Sequence, residues 1–314
     1  MTDSFGPRLP LARASIDRDH LSRALGLEAV LADPLARVLV LHERKALLAG
    51  PTEIALLEPD RVPSHELALY LGRSVAHEPD LPAGSPIAAL LVDAATAAAL
   101  ATDDSEWGDL RLLGAQLSVR DAGLFTEALA LANWHASYGF SPRSGHPSIP
   151  ETAGWTRRDT VTGTELFPRT DAAIIVGITD DDDRLLLGSN ALWETNRFSL
   201  LAGFVEPGES LEAAVVREVY EESGVRVVDP VYRGSQPWPF PASLMVGFRA
   251  RVAPGSSTVG RPDGEEILEL RWFSREELAA ANAAREIRLP GSTSIARAII
   301  DEWYGGELPD GGRW

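Results

Sequence analysis

The stretch Gly203–Val225 constrains this chain more than any other part of it. It reads as a strand end, a loop, a helix and a turn. Ser210 stands where a helix N-cap is wanted, Leu211–Ser223 is rich in good helix formers, and Gly224 follows where glycine tolerates the left-handed closing residue. Leu211, Ala214, Val215 and Val219 recur at helical spacing and define the face that must be buried. The acids fall elsewhere on the cylinder. Glu218 and Glu222, four apart, project from one stripe, and Glu221 borders it.

Carboxylates held so close repel one another and destabilise their helix unless a counter-charge is supplied. Arg217 neutralises only part of the cluster, so a hard divalent cation, Mg²⁺ or Mn²⁺, is the natural partner. Glu209, in the loop before the helix, is placed to hold Arg217 and so to orient the ligating acids. Most Glu-rich helical stripes are simply solvated faces. The particular spacing sets this one apart.

Around this segment the chain reads as two units. Residues 1 to about 20 mix Pro, Gly and charge without a period, which predicts a loose leader. Apolar runs at Ala36–Leu41, Ile54–Leu57, Leu67–Leu71 and Ile87–Val92 predict strands, and Asp121–Trp134 predicts a helix, an α/β amino-terminal domain over 1–134. Residues 135–170, rich in Ser, Gly, Pro, Thr and Arg, read as a connector with little core of its own. The third segment, 171–314, opens with the buried-strand run Ala172–Ile178. Asp180–Asp183 reads as a hairpin turn rather than a metal loop, since a calcium loop alternates its ligands with Gly between them. Further strands are expected at Ser199–Val205, Val225–Tyr232, Met245–Val252 and Ile267–Phe273, and helices at Leu211–Ser223, Arg275–Asn282 and Ser294–Tyr304, with Ser210 and Ser274 as caps. A mixed sheet between helices follows, so the fold class is α+β.

Composition excludes several classes of function. The net charge of −17 opposes general affinity for nucleic acid, and a small anionic substrate would need cations as escorts. Zero cysteines remove disulfides, thiol nucleophiles and thiolate zinc sites together. No apolar run is long enough to span a bilayer, and Met1–Arg13 lacks the basic-then-apolar order of a secretory signal, so the expected location is the cytoplasm.

Gly203, Glu209, Arg217, Glu218, Val219, Glu221, Glu222, Gly224 and Val225 match every position of the pattern Gly-x5-Glu-x7-Arg-Glu-(apolar)-x-Glu-Glu-x-Gly-(apolar). In this the chain resembles the Nudix hydrolases. Ten residues further on, Ser235-Gln-Pro-Trp-Pro-Phe-Pro-Ala-Ser243 holds Trp238 and Phe240 between prolines. Physics alone allows two readings, a preformed wall for a planar ring or a proline-rich surface loop covering the core. The segment is similar to the signature of the NADH pyrophosphatase branch of that family, and the resemblance runs from about Tyr138 to Arg297.

The resemblance implies hydrolysis of NADH or NAD⁺ to nicotinamide mononucleotide and AMP, removal of NAD caps from RNA 5′ ends, and a homodimer. It implies metal ligands at Glu218, Glu222, the backbone oxygen of Ala202 and Glu266, with Glu265 and Glu269 competing for the last place. It assigns catalytic roles to Glu209, Arg217, Glu218, Glu221 and Glu222, with Glu221 or Glu222 as base. For the nucleotide it implies contacts from Gln236, Pro237, Trp238, Pro239, Phe240, Pro241, Ala242, Ser243 and Ala296, with Phe167 and Phe204 near the nicotinamide.

The chain departs from the family at its connector. Where relatives carry two Cys-x-x-Cys pairs it has Ser141, Ser144, Asp159 and Thr162, poor zinc ligands beside thiolates, so the zinc-ribbon-like shape is expected without zinc. Two other functions fit the pattern less well. A Nudix enzyme acting on ADP-ribose or dinucleoside polyphosphates should lack the Gln236–Ser243 motif, and a non-catalytic nucleotide sensor should have lost a carboxylate of the box.

Overall fold

The run Ala36–Leu41 has no polar side because its strand is buried on both faces. The computed structural model describes residues 5–78, 81–101 and 106–308. They divide into two compact units, one made of Arg13–Thr170 with Trp238–Ala242, the other of the chain up to Ala12, Asp171–Pro237 and the chain from Ser243 onward.

In the first unit the strands are β1 (Ile16–Asp17), β2 (Arg37–His42), β3 (Lys45–Gly50), β4 (Glu53–Ile54), β5 (Leu56–Leu57), β6 (Leu67–Ser74), β7 (Pro86–Leu91) and β8 (Trp107–Gly108). They lie in the order β1-β6-β7-β2-β3-β4, with β5 beside β2 and β8 beside β3. β2 runs parallel to β7, so Val38 and Val40 meet Ala88 and Leu90 in one cluster. The helices are α1 (Leu27–Leu31), α2 (Ala94–Leu100), α3 (Leu110–Leu113) and α4 (Val119–Ser137). Ser118 caps α4 by accepting the Asp121 N–H, and the helix is buried almost continuously from Asp121 to His135.

The connector adds a small sheet, β9 (Ser148–Glu151), β10 (Thr156–Asp159) and β11 (Glu165–Leu166), in the order β11-β10-β9. Its interior is polar. The buried Arg157 guanidinium donates to the Ser148 Oγ and carbonyl and to Nδ1 of His135, whose Nε2 donates to the Gly154 carbonyl. Burial pulls the His135 ring down to about 4, so it stays neutral, as those bonds require. Asp159 is the hub of the turn that follows: its carboxylate accepts Ser144 Oγ and the Val161 and Thr162 N–H groups, the last two at 2.9 Å.

The second unit holds β12 (Asp171–Thr179), β13 (Leu185–Asn190), β14 (Leu201–Phe204), β15 (Val227–Trp238), β16 (Ser243–Val252) and β17 (Ile267–Phe273). The order is β15-β16-β12-β13-β17, with β14 on β12, and β12 and β16 pair in parallel. Its helices are α5 (Leu211–Ser223), α6 (Arg275–Ala283) and α7 (Ile295–Tyr304). Alternation along β12 sorts the core: Ile174, Val176 and Ile178 pack with Ala214, Val215 and Val219 of α5, whereas Ile175 faces the cluster of Leu278, Ile299 and Trp303 from α6 and α7. The sheet is therefore sandwiched between helices. Asp180 closes the β12–β13 hairpin by accepting the Asp182 and Arg184 N–H groups, the turn expected there.

Two expectations fail. The leader is not loose: Phe5, Leu9 and Leu11 are buried, and Phe5 and Leu9 join the α6–α7 cluster, because Gly234 leaves them room against β15. Met1–Ser4 lie outside the described residues. The strand expected to end at Tyr232 runs on to Trp238.

Candidate active site

The local fold of α5 is what the sequence demands. Ser210 Oγ accepts the Ala213 N–H at 3.1 Å, and Gly224 closes the helix at φ +68°. With Ala214, Val215 and Val219 fully buried against β12 and β14, the acidic stripe is turned toward the end of β14.

There Arg217 gathers three carboxylates. Its Nε donates to Glu209 Oε2 at 3.1 Å and its Nη2 to Glu209 Oε1; Nη1 lies 2.9 Å from both Glu218 Oε1 and Glu221 Oε2; Nη2 also reaches the Phe204 carbonyl at 3.0 Å. These bonds hold the Glu209 carboxyl below its usual range and raise the guanidinium further. Glu218 is nevertheless raised, by burial first, and lies so close to β14 that a Cβ on Gly203 would sit 2.0 Å from its carboxyl carbon.

Glu222 receives nothing from Arg217. It is 5% exposed, and its Oε2 has no hydrogen-bond partner. Burial, with the charges of Glu218, Glu266 and Asp263 nearby, pushes it up to about 8. A buried acid with an unsatisfied oxygen is costly, and a bound cation would relieve that cost.

These groups line an open cavity of about 630 Å³ together with Ala173, Ala202, Phe204, Glu206, Ser243, Met245, Asp263, Glu265 and Glu266. All the donors are oxygens, the set suited to Mg²⁺ or Mn²⁺. Among the described residues no three acids are drawn together closely enough to hold an ion as they stand. That follows from their repulsion and from the pull of Arg217 on Glu218 and Glu221. The donor set fits a hard cation that would draw Glu218, Glu222 and Glu266 inward.

A family model described as a NUDIX domain matches residues 168–290, and one described as an NADH pyrophosphatase-like rudimentary NUDIX domain matches residues 35–134. The chain carries a NUDIX domain over residues 168–290. Over 209 residues it is 47% identical to a NAD-capped RNA hydrolase NudC of Mycobacterium bovis (strain BCG / Pasteur 1173P2), an alignment covering 62% of this chain and 64% of that protein. It is 36% identical over 200 residues to the Homo sapiens NAD-capped RNA hydrolase NUDT12, covering 60% of this chain and 43% of the relative. The chain thus spans less than two thirds of the length of these relatives. A crystal structure of a NUDIX hydrolase from Nitrosomonas europaea superposes with a TM-score of 0.41 at 21% identity, covering 54% of this chain and 94% of that one.

Within this Nudix unit the cavity brings together Ala202, Phe204, Arg217, Glu218, Glu221, Glu222, Ser243 and Glu266, with Glu209 behind Arg217. Of the competitors for Glu266, Glu265 also lines the cavity, while Glu269 does not and is bonded to Arg271 at 2.6 Å. Gln236 and Ala296 are not in the lining. Gln236 is wholly buried, its amide joining the Leu11 N–H to the Thr293 carbonyl, and Ala296 is packed in the α7 cluster. Pro237 is half-buried at the end of β15. Trp238, Pro239, Phe240, Pro241 and Ala242 belong to the first unit, as does the exposed Phe167. There Trp238 and Phe240 meet edge to face at 4.9 Å, Arg111 lies 4.4 Å over Phe240, and Asn133 donates to the Pro239 and Pro241 carbonyls. Sequence reasoning missed Asp263, Glu206 and Met245. For Asp263 the available signal was an Asp-Gly pair immediately ahead of two acids and a strand.

Proposed function

We propose that this chain hydrolyses the pyrophosphate bond of NADH or NAD⁺, giving nicotinamide mononucleotide and AMP, and cleaves NAD caps from RNA 5′ ends. The observation that carries the reading is the buried Glu222 carboxyl with an unpartnered oxygen, set among acids that Arg217 has already paired. The likeness to relatives named NAD-capped RNA hydrolases supports the substrate class. Mg²⁺ or Mn²⁺ would be held by Glu218, Glu222, Glu266 and the Ala202 carbonyl oxygen. When bound, it supplies charge neutralisation for the diphosphate and Lewis-acid activation of the attacking water.

The protein's own groups do the rest. Glu209 fixes Arg217, which aligns Glu218 and Glu221 at the mouth of the cavity. Glu221 or Glu222 takes the proton from the attacking water. Phe204 and Ser243, which line the cavity, position the dinucleotide so that its diphosphate rather than another bond meets the acids. We assign the three segments 1–134, 135–170 and 171–314 to amino-terminal, connector and catalytic domains of a cytoplasmic homodimer.

Product analysis tests the reading. With Mg²⁺ or Mn²⁺, the wild type should yield AMP and the mononucleotide from NADH, and E222Q should lose at least about 10²-fold in turnover. Near-normal turnover by E222Q, or cleavage of ADP-ribose in clear preference to NADH and NAD⁺, would refute it.

A further inference from the structure

Glu266 stands outside the helix that carries the other acids, in the short loop before β17, and its side chain is exposed. A ligand on a loop is held only as well as its backbone is held. Here the backbone is held on both sides. The carbonyl of Glu266 accepts the Ala191 N–H at 2.8 Å, just past β13, where a register shift between Ser189 and Asn190 leaves Asn190 opposite Ile267. On the other side its N–H goes to the side chain of Asp263.

That side chain gathers the whole turn. Asp263 Oδ1 accepts the N–H groups of Glu265, Glu266 and Ile267 at 2.8, 2.9 and 2.9 Å, and Gly264, at φ +80°, supplies the left-handed residue the turn requires. One oxygen thus fixes three successive peptides and with them the direction in which Glu266 leaves the chain. Glu266 lines the same cavity as Glu218 and Glu222 and its charge is felt at both, while the Oε2 of Glu222 is buried with no hydrogen-bond partner.

We propose that Asp263 is a positioning residue for the cation site: its Oδ1, as an acceptor of three N–H groups, aims Glu266 at Glu218 and Glu222. The inference rests on the metal-dependent reading above and deepens it. Asp263 aims Glu266 through the turn, a task that asparagine, with the same Oδ1 acceptor, can take over, although the charge of Asp263 is also felt at Glu222.

The test is direct titration of Mn²⁺ into the full-length protein by calorimetry, with wild type, D263A, D263N and E222Q compared and thermal unfolding recorded for each. We expect D263A to bind Mn²⁺ at least about tenfold more weakly, the scale of losing a group that orients a ligand. D263N should remain within about threefold of wild type and keep its unfolding midpoint, whereas D263A, which leaves three N–H groups without their acceptor, should lower the midpoint but remain folded at the temperature of the titration. Wild-type affinity in D263A overturns the inference. So does a loss in D263N as large as in D263A, which would make the negative charge the active feature. Absence of Mn²⁺ binding by the wild type, or undiminished binding by E222Q, refutes the metal-dependent reading itself and the role of Asp263 with it.

Discussion

Gly203 shows how one missing methyl group shapes the cavity. Its backbone is ordinary extended strand, so alanine would cost nothing in conformation, but the added Cβ would lie 2.0 Å from the Glu218 carboxyl carbon and 2.2 Å from its Oε1. The neighbour it strikes is the tip of a flexible side chain, which can swing away cheaply. What is lost is the place of that carboxylate, by an ångström or more. We expect G203A to retain its unfolding midpoint within about 2 °C while losing about 10²-fold in turnover, the penalty typical of a misplaced reacting group. A large fall in stability with unchanged turnover per folded molecule would show that Gly203 serves packing alone. The Glu222 carboxyl illustrates the complementary point, that an acid buried with an oxygen lacking a partner calls for a reason beyond packing.

Among the elements, the connector replaces a metal by a hydrogen-bonded hub. Of the four positions aligned with thiolates, Asp159 alone is charged, and it is 1% exposed. Ser144 Oγ and two backbone N–H groups hold its carboxyl below the usual range. A depressed pKa means that the stabilisation is present above the unfolded-state value and is lost as pH falls through the folded one. D159A should therefore lower the unfolding midpoint at neutral pH, and the gap from wild type should narrow in acid, as thermal scans from pH 7 down to pH 3 would measure. A zinc-selective chelator should leave the wild type unmoved; a chelator-sensitive midpoint, or D159A matching wild type at pH 7, would contradict the hub. The hub also marks where sequence reading stops. The long apolar runs that became β2, β7 and β12, the capped helices α5 and α6, and the acidic stripe with its arginine were all legible, because period and spacing along the chain encode them. Asp159 and Asp263 were not, because each acts by accepting backbone N–H groups whose direction no residue pattern states. Gln236 belongs to the same class: its position in a motif suggested a ligand contact, and its buried amide instead bridges Leu11 and Thr293.

At the scale of the molecule, the order of the chain and the order of its cores differ. Residues up to Ala12 pack with the second unit, the chain then builds the first, and it returns at Asp171. Nothing local in a Pro- and Gly-containing stretch announces this, since Gly234, against which Phe5 and Leu9 lie, stands more than two hundred residues further along the chain. Leu9 is 1% exposed and lies against Gly234, where even a glycine-borne Cβ would come within 3.0 Å. L9A should accordingly destabilise the second unit by about 2–5 kcal/mol, through lost burial and the cavity left behind. Chemical denaturation followed by the fluorescence of Trp303, isolated by replacing the other seven tryptophans of the chain, would report on this core. The Leu11 N–H bond to Gln236 ties the same segment to the end of β15, so loosening it should also weaken that strand. A loss below about 1 kcal/mol would mean that the amino-terminal turn merely covers the second unit instead of completing its core.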